Sequence, residues 1–398
     1  DIKTGTAKTI YRAPEKPDVT KTPLPRFDLI DMRDYYSMCL QFSRGCPFDC
    51  EFCDITKLFG RVPRTKTPAQ MLNEFDFLYR LGWRGNLFLV DDNFIGNKRE
   101  ALELLRAVTG WQKTHGYPFS LFTEASVNLA RTDVLMDAMV EAGFSWVFLG
   151  IETPNPKALI KTKKQQNTSK KKEDNYLLNA VRKIQQKGME VSGGFILGLD
   201  GDDESVFDAQ IDFIQEAGIP MAMVGLLTAL KGTNLYDRLK REDRLLEEST
   251  GTSVNVVLNF KPEMDSKILI EGYRRVLSTI YDPTLENYFK RCLIMLKHVK
   301  PTPNLVKNVG KNELIAIVKS VRRQLFSKQG PAYLKFLAKV VRNYPRMLPE
   351  AIHLAVMGYH FEKVTSQQIA IHDFKKFLEV ELDACQEVVS HYLRIGTQ

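Results

Sequence analysis

The chain has 398 residues, 44% of them hydrophobic and 26% charged, and carries a formal net charge of +8. The length allows a large domain with a smaller companion, and the composition is that of an ordinary globular protein. No apolar run reaches the roughly 18–20 residues that span a bilayer, and no charged-then-apolar leader opens the chain, so neither a transmembrane helix nor secretion is expected.

The charge is unevenly spread. Residues 161–172 (KTKKQQNTSKKK) hold six lysines and no acid, which leaves the rest at 8 − 6 = +2. Such a run is expected to be a solvated loop, with phosphate, nucleic-acid or membrane binding as the rival reading. The six cysteines make no disulfide framework: three cluster, while Cys39, Cys292 and Cys385 lie far apart. A reducing cytoplasm is the expected setting.

Residues 1–34 are rich in Pro, Lys and Thr and read as an extended lead-in. From 35 to 244, short apolar runs alternate with amphipathic ones, the pattern of repeated βα units. Strands are expected at 37–42, 86–90, 119–123, 146–150, 190–197 and 221–227. Helices are expected at 67–82, 98–113, 132–142, 175–186, 204–216 and 233–241. Thr67 is placed to cap the first helix, with Pro68 tolerated in its first turn. Gly82, Gly143, Gly188 and Gly218 stand just past helix ends, where a left-handed residue is common.

Six βα units fit a partial barrel, and a doubly wound sheet would give a similar pattern. The polar residues that break each apolar run favour the barrel, whose active site lies at the C-terminal strand ends. After the first strand comes a cysteine loop, and after the second Asp91-Asp92-Asn93. The third ends at Glu124, the fourth at Glu152, the fifth runs into Gly198, Asp200 and Gly201, and the sixth leads to Thr228.

Residues 245–398 show helical periodicity over 263–300 and 310–395, interrupted at Pro301-Thr302-Pro303. A mostly helical C-terminal domain is expected, with its many aromatics in the core. Residues 333–344 mix Leu, Phe and Val with Lys335, Lys339 and Arg342, so a helix lying on a membrane surface is a second reading there.

The cysteine loop spaces Cys46, Cys50 and Cys53 as CxxxCxxC among Gly45, Pro47 and Asp49. Three thiolates on one tight loop leave a coordination position without a nearby protein ligand. Structural zinc wants four donors, and neither a second cysteine pair nor histidines at ligand spacing follow. A four-iron cluster with one iron open suits the spacing better. Buried apolar cysteines are the plain alternative.

This spacing, with Phe52 just before the last cysteine, resembles the signature of the radical S-adenosylmethionine (SAM) enzymes. The resemblance implies a partial (β/α)6 TIM-like barrel of class α/β, and three cysteines holding a 4Fe-4S cluster whose fourth iron is chelated by SAM. One electron from the cluster then splits SAM into methionine and a 5′-deoxyadenosyl radical. Asp91-Asp92-Asn93-Phe94 departs from the family's Gly-Gly-Glu and resembles the variant in members that also carry a cobalamin domain, which implies binding of the SAM amino group by Asp91, Asp92 or Asn93. Glu124 and Glu152 are similar in position to residues that contact SAM ribose or methionine, with a salt bridge inside the barrel as the alternative. Gly194, Ile196 and Gly198 resemble the element bordering adenine, and Phe52 is implied to lie near the same ring.

The lead-in and C-terminal part are similar to those of cobalamin-dependent radical SAM proteins, including hopanoid C-2 methylases. The DxHxxG motif that often binds cobalamin is absent, since no histidine has Asp two residues before it. The chain opens at Asp1, and the lead-in is expected to be a linker that follows a cobalamin domain lying outside it. These features imply a cobalamin-dependent methyltransferase acting on an unactivated carbon of a small or lipid-like substrate, with flavodoxin or ferredoxin as electron donor. The rivals are a radical rearrangement without methyl transfer, a zinc- or cluster-stabilised binding protein, and a basic nucleic-acid binder resting on the lysine run. No residue is singled out as a catalytic acid or radical quencher.

Overall fold

The computed structural model describes residues 1–11, 13, 15–169, 175–249, 258–299 and 311–395, with side chains except at 311–317 and 372–395. Its centre is a six-stranded parallel sheet: β1 Ser37–Leu40, β2 Asn86–Leu89, β3 Ser120–Ala125, β4 Phe144–Glu152, β5 Glu190–Leu197 and β6 Ala222–Leu226. The strands neighbour one another in sequence order and every pairing is parallel. Right-handed crossovers between successive parallel strands put every connecting helix on one side. A doubly wound sheet would reverse its strand order to carry helices on both faces. The uninterrupted order therefore decides for the partial barrel.

The connecting helices are α1 Pro68–Arg80, α2 Lys98–Thr114, α3 Asp133–Glu141, α4 Tyr176–Lys187 and α5 Ser205–Glu216, with α6 Asn234–Arg241 after the last strand. Thr67 accepts the Gln70 N–H while the Gln70 side chain returns to the Thr67 N–H, a full capping box ahead of Pro68. Gly82, Gly143, Gly188 and Gly218 all take positive φ at the expected helix ends.

Alternation along the strands sorts the two faces. Met38, Leu40, Leu87, Leu89, Leu121, Val147, Leu149, Val191 and Leu197 pack fully buried against the helices. The intervening residues face the lumen, where Phe88 stacks on Phe122 at 4.7 Å and Phe122 on Trp146 at 4.5 Å. A ladder of rings across β2, β3 and β4 thus fills the middle of the barrel.

Three strands differ from their expected boundaries by more than a single residue. The first apolar run does not form one strand: β1 stops at Leu40, and Ser43–Arg44 pairs antiparallel with Arg64–Thr65. Strand β3 runs on to Ala125, so Glu124 lies inside the strand and faces the lumen rather than ending it. Strand β4 starts earlier and ends later than expected, and a register shift at Gly150/Glu152 bends its tip.

Beyond β6 the chain turns helical: α7 Ser266–Ile280, α8 Glu286–His298, α9 Lys311–Leu325, α10 Gly330–Asn343 and α11 Leu348–Ile395. Pro301-Thr302-Pro303 lies outside the described residues. Helix α7 packs on α5 and β6, and α8 on α4, α5 and α7, so they extend the outer layer of the barrel. The fully buried Arg291 holds the seam by donating to the carbonyls of Ile219, Pro220 and Ile280. Most of the aromatics expected in the helical core are there, with Tyr288, Tyr333 and Phe336 buried and Phe289 stacked on Phe336 at 4.6 Å, but Phe326 stands out in solvent because it falls at the turn between α9 and α10. Among the described residues no helix is long and apolar enough to cross a membrane.

Candidate functional site

The cysteine loop is held from below by the second strand. Asp91, expected beside the SAM ammonium, is instead fully buried under the loop and accepts the backbone N–H of Phe42 at 3.1 Å and of Ser43. Burial pushes its carboxyl up to about 7. Its place explains why the first apolar run breaks at Leu40: Phe42 and Ser43 give their N–H groups to a side chain instead of to a ladder.

Gly45 then turns the chain with φ +108, a left-handed value that a side chain resists. A Cβ there would stand 2.9 Å from the Gly60 carbonyl oxygen, so the spot is closed to every other residue on two counts. The adjacent Cys46 N–H donates to that same carbonyl at 3.2 Å, which closes the base of the loop.

Donors surround the sulfurs. Asn93 donates its amide to Cys46 Sγ at 3.7 Å, while its Oδ1 accepts from the Ser126 N–H at 3.2 Å, so the amide orientation is set by the backbone beyond β3. Gln166 donates to Cys50 Sγ at 3.3 Å. Lys164 sits 5.8 Å from the centre of the Phe52 ring and is buried with Glu152 as its ion-pair partner. Burial pushes the Cys50 thiol up and the Cys53 thiol up to about 12, each raised further by the neighbouring sulfurs.

Lys164 and Gln166 belong to the lysine run, which corrects the expectation of a solvated loop. Residues 161–169 fold back over the cysteines: the Thr162 carbonyl accepts the Glu51 N–H at 3.0 Å, and Asn167 donates to the Gly150 and Ile151 carbonyls. Lys161 pairs with Glu263. Lys170 to Lys172 lie outside the described residues.

The carboxylates expected at the strand ends divide into two kinds. Glu152 is committed to Lys164, and its backbone takes φ +67 at the β4 bulge, which aims the side chain inward. Gly150 leaves the room, since a Cβ there would stand 2.7 Å from Glu152 Oε1 and 3.0 Å from Lys164 Nζ. Glu124 has no hydrogen-bond or ion-pair partner among the described residues. Its carboxyl is raised by burial and then by the charge of Asp92 across the lumen. Asp92 is raised by burial as well, and it accepts a long hydrogen bond from the Gly45 N–H at 3.5 Å. Arg44 lies near enough to Asp92 to offset part of that rise, while Glu124 has no such cation, so the pair of acids leaves negative charge for a positive ligand to answer.

On the far side of the mouth, Gly194 faces the lumen, where a Cβ would stand 3.1 Å from the Phe148 ring. The Ile196 carbonyl accepts from Gln210 at 2.9 Å. Gly198 turns with φ +87, and the next loop is pinned by Asp202, which accepts the Leu199 N–H at 3.0 Å. Sequence reasoning missed a latch closing this side. Arg238 on α6 donates to Glu51 at 2.6 Å and pairs with Asp200 at 2.7 Å, and Arg244 also holds Asp200 at 2.8 Å. The cysteine loop and the end of β5 are thereby tied to one guanidinium.

Three thiols on one loop, with amide donors on two of the sulfurs, are the kind of donor set a four-iron cluster takes. Among the described residues no three His, Cys, Asp or Glu side chains converge on a single ion position. A 4Fe-4S cluster does not ask for that, because each cysteine takes a different iron.

A parallel six-stranded partial barrel with a three-cysteine loop at the C-terminal strand ends defines a class. Residues 40–229 match the Radical SAM superfamily, and this part of the chain is a radical SAM domain. Residues 233–372 match a domain of unknown function (DUF4070). The chain is 48% identical to an uncharacterized methyltransferase of Synechocystis sp., over 77% of this chain and 57% of that protein. It is 40% identical to the hopanoid C-2 methylase of Rhodopseudomonas palustris, over 64% of this chain and 47% of that protein. It thus spans about half the length of these curated relatives. Among solved structures, the radical SAM methyltransferase TsrM from Kitasatospora setae, with cobalamin and a 4Fe-4S cluster bound, shares the fold at a TM-score of 0.50 and 14% identity. That likeness covers 83% of this chain and 63% of TsrM.

Proposed function

We propose that this chain is the barrel and helical part of a cobalamin-dependent radical SAM methyltransferase acting on an unactivated carbon of a small or lipid-like substrate. The observation that carries the reading is the juxtaposition at the mouth: three cysteines with amide donors on two of their sulfurs, Asp92 beside their loop, and Glu124 in the lumen with no cation to answer it. Cys46, Cys50 and Cys53 would hold the cluster, and Asp92 and Glu124 would hold the SAM ammonium. Gly194, Ile196, Gly198 and Phe52 would border its adenine.

Bound there, the cluster supplies the single electron that cleaves SAM. The residues themselves orient and enclose. Asn93 and Gln166 fix two sulfurs by hydrogen bonds, Asp91 fixes the loop backbone, and the Lys164–Glu152 pair shields the loop from water. The ring ladder below the mouth keeps the lumen dry, which protects a reactive carbon centre from side reactions. Cobalamin enters through the relatives: no second cradle of βα units is found among the described residues to hold it, and no step is derived through it. The division at 34/35 and 244/245 and an electron donor such as flavodoxin or ferredoxin belong to the same proposal.

The test is anaerobic reconstitution. The chain is expected to retain about four irons, as one 4Fe-4S cluster requires, and to release 5′-deoxyadenosine from SAM once reduced. Cys46→Ala is expected to abolish that release, and a variant that still releases it overturns the proposal. S-adenosylhomocysteine among the products separates methyl transfer from a rearrangement, which makes none.

A further inference from the structure

The lysine run is not the only concentration of positive charge. Between residues 318 and 349 there are eight Lys and Arg and no Asp or Glu. All eight are exposed, on helices α9 and α10 and the turns that follow them, and none pairs with a carboxylate among the described residues. Helices α9 and α10 pack against each other and both against α11. Their inner residues, among them Gln324, Tyr333, Phe336 and Val340, are buried.

The outer surface is also unusually apolar. Phe326 at the α9–α10 turn is 84% exposed, Val318 60%, Leu334 53% and Val341 54%. Leu334 and Val341 are seven residues apart on α10, two turns along one stripe. The cations Lys335, Lys339 and Arg342 border that stripe, with Lys319, Arg322 and Lys328 on the preceding helix and turn. Single exposed apolar side chains are ordinary, but a set interleaved with unpaired cations and no acid is not.

We infer that the outer surface of α9 and α10 docks on an anionic lipid bilayer. Phosphate headgroups would meet the cations, while Phe326, Leu334 and Val341 enter the headgroup–acyl boundary. An interfacial helix has this composition: a basic polar face beside an apolar edge. A nucleic acid would answer the charge equally well but offers nothing to Phe326, Leu334 and Val341, whose burial favours the bilayer. The inference does not depend on the reading of the cysteine loop, since these helices lie in the part of the chain beyond the barrel.

Co-sedimentation of the full chain with vesicles tests it. Binding is expected to vesicles of phosphatidylcholine mixed with phosphatidylglycerol and not to phosphatidylcholine alone. Raising the salt from about 0.1 M to about 1 M shortens the Debye length from about 10 Å to about 3 Å and is expected to release the protein. A cation near an anionic surface contributes about 1 kcal/mol, or about fivefold, so Lys335→Gln with Lys339→Gln is expected to lower the partition coefficient about 30-fold. Phe326→Ser with Leu334→Ser is expected to weaken it further at unchanged charge. All four side chains are exposed, so circular dichroism is expected to show the fold unaltered. Failure to bind the mixed vesicles, or binding indifferent to both pairs of substitutions, overturns the inference. So does tighter binding to duplex DNA or RNA that the Phe326 and Leu334 changes leave untouched.

Discussion

Lys164 is the residue on which the interior of the site turns. A buried lysine is costly unless its charge is answered, and Glu152 answers it while the Phe52 ring flanks it. Removing one partner strands the other charge, a change that typically costs about 3–5 kcal/mol. Lys164→Met is therefore expected to lower the unfolding free energy by about 3 kcal/mol, read from a urea titration. Lys164→Met combined with Glu152→Leu removes both charges and is expected to recover most of that loss. If the double variant is no more stable than the single one, the pair is not the reason for the cost.

At the scale of elements, the site is an agreement among four of them. The β1–α1 loop brings the cysteines, the loop after β2 brings Asp92 and Asn93, the β4–α4 loop brings Lys164 and Gln166, and α6 brings Arg238. The last closes the arrangement, since one guanidinium serves both Glu51 in the cysteine loop and Asp200 beyond β5. Charge-assisted bonds of this kind contribute about 1.5–3 kcal/mol each when formed away from bulk water. Arg238→Gln is expected to cost about 2 kcal/mol of stability and to lower the iron retained after reconstitution, measured on the same preparation. Normal iron retention in that variant would show that the latch does not hold the loop.

For the whole molecule, the end of the barrel opposite the cysteines is closed by the C-terminal helices. The start of α11 reaches the N-terminal strand ends, where Tyr36 stacks on His353 and hydrogen-bonds to it at 3.3 Å. Glu190, at the start of β5, is half-buried beside Glu350, and the loss of surrounding water followed by the Glu350 charge pushes its carboxyl well above the usual range. Glu350 also accepts from His353, whose imidazole it pushes up, and Cys292 lies within reach of both acids. A carboxyl raised on folding favours the native state only while protonated. Wild-type stability should then fall as pH rises from about 4.5, the unfolded value, toward the folded value. Glu190→Gln has no proton to lose, so its melting temperature is expected to match wild type in acid and to exceed it progressively above that pH. A constant gap across the range would show that the Glu190 carboxyl is not shifted on folding.

Much of the fold and the core of the site is legible in the sequence. The βα rhythm, the helix caps and Cys46, Cys50 and Cys53 are written in residues a few positions apart, where periodicity and turn chemistry act directly. The choice of partial barrel over doubly wound sheet is legible only indirectly, through the polar residues at the strand ends, and the strand order bears it out, because which strands lie side by side is not written locally. Asp91 reads in sequence like its neighbour Asp92, yet one is buried under a loop and the other faces the lumen, since successive side chains at a strand end point to opposite sides. The lysine run misleads for a related reason: its local composition is that of a solvated loop. Gln166 finds its partner in Cys50, 116 residues earlier in the chain, and Lys164 finds its own in Glu152, at a bulge on the tip of β4. Local chemistry determined the cysteine loop and the alternation of strands and helices. Contacts across long stretches of chain, formed only when the sheet curls, decided which charges are buried and what each one faces.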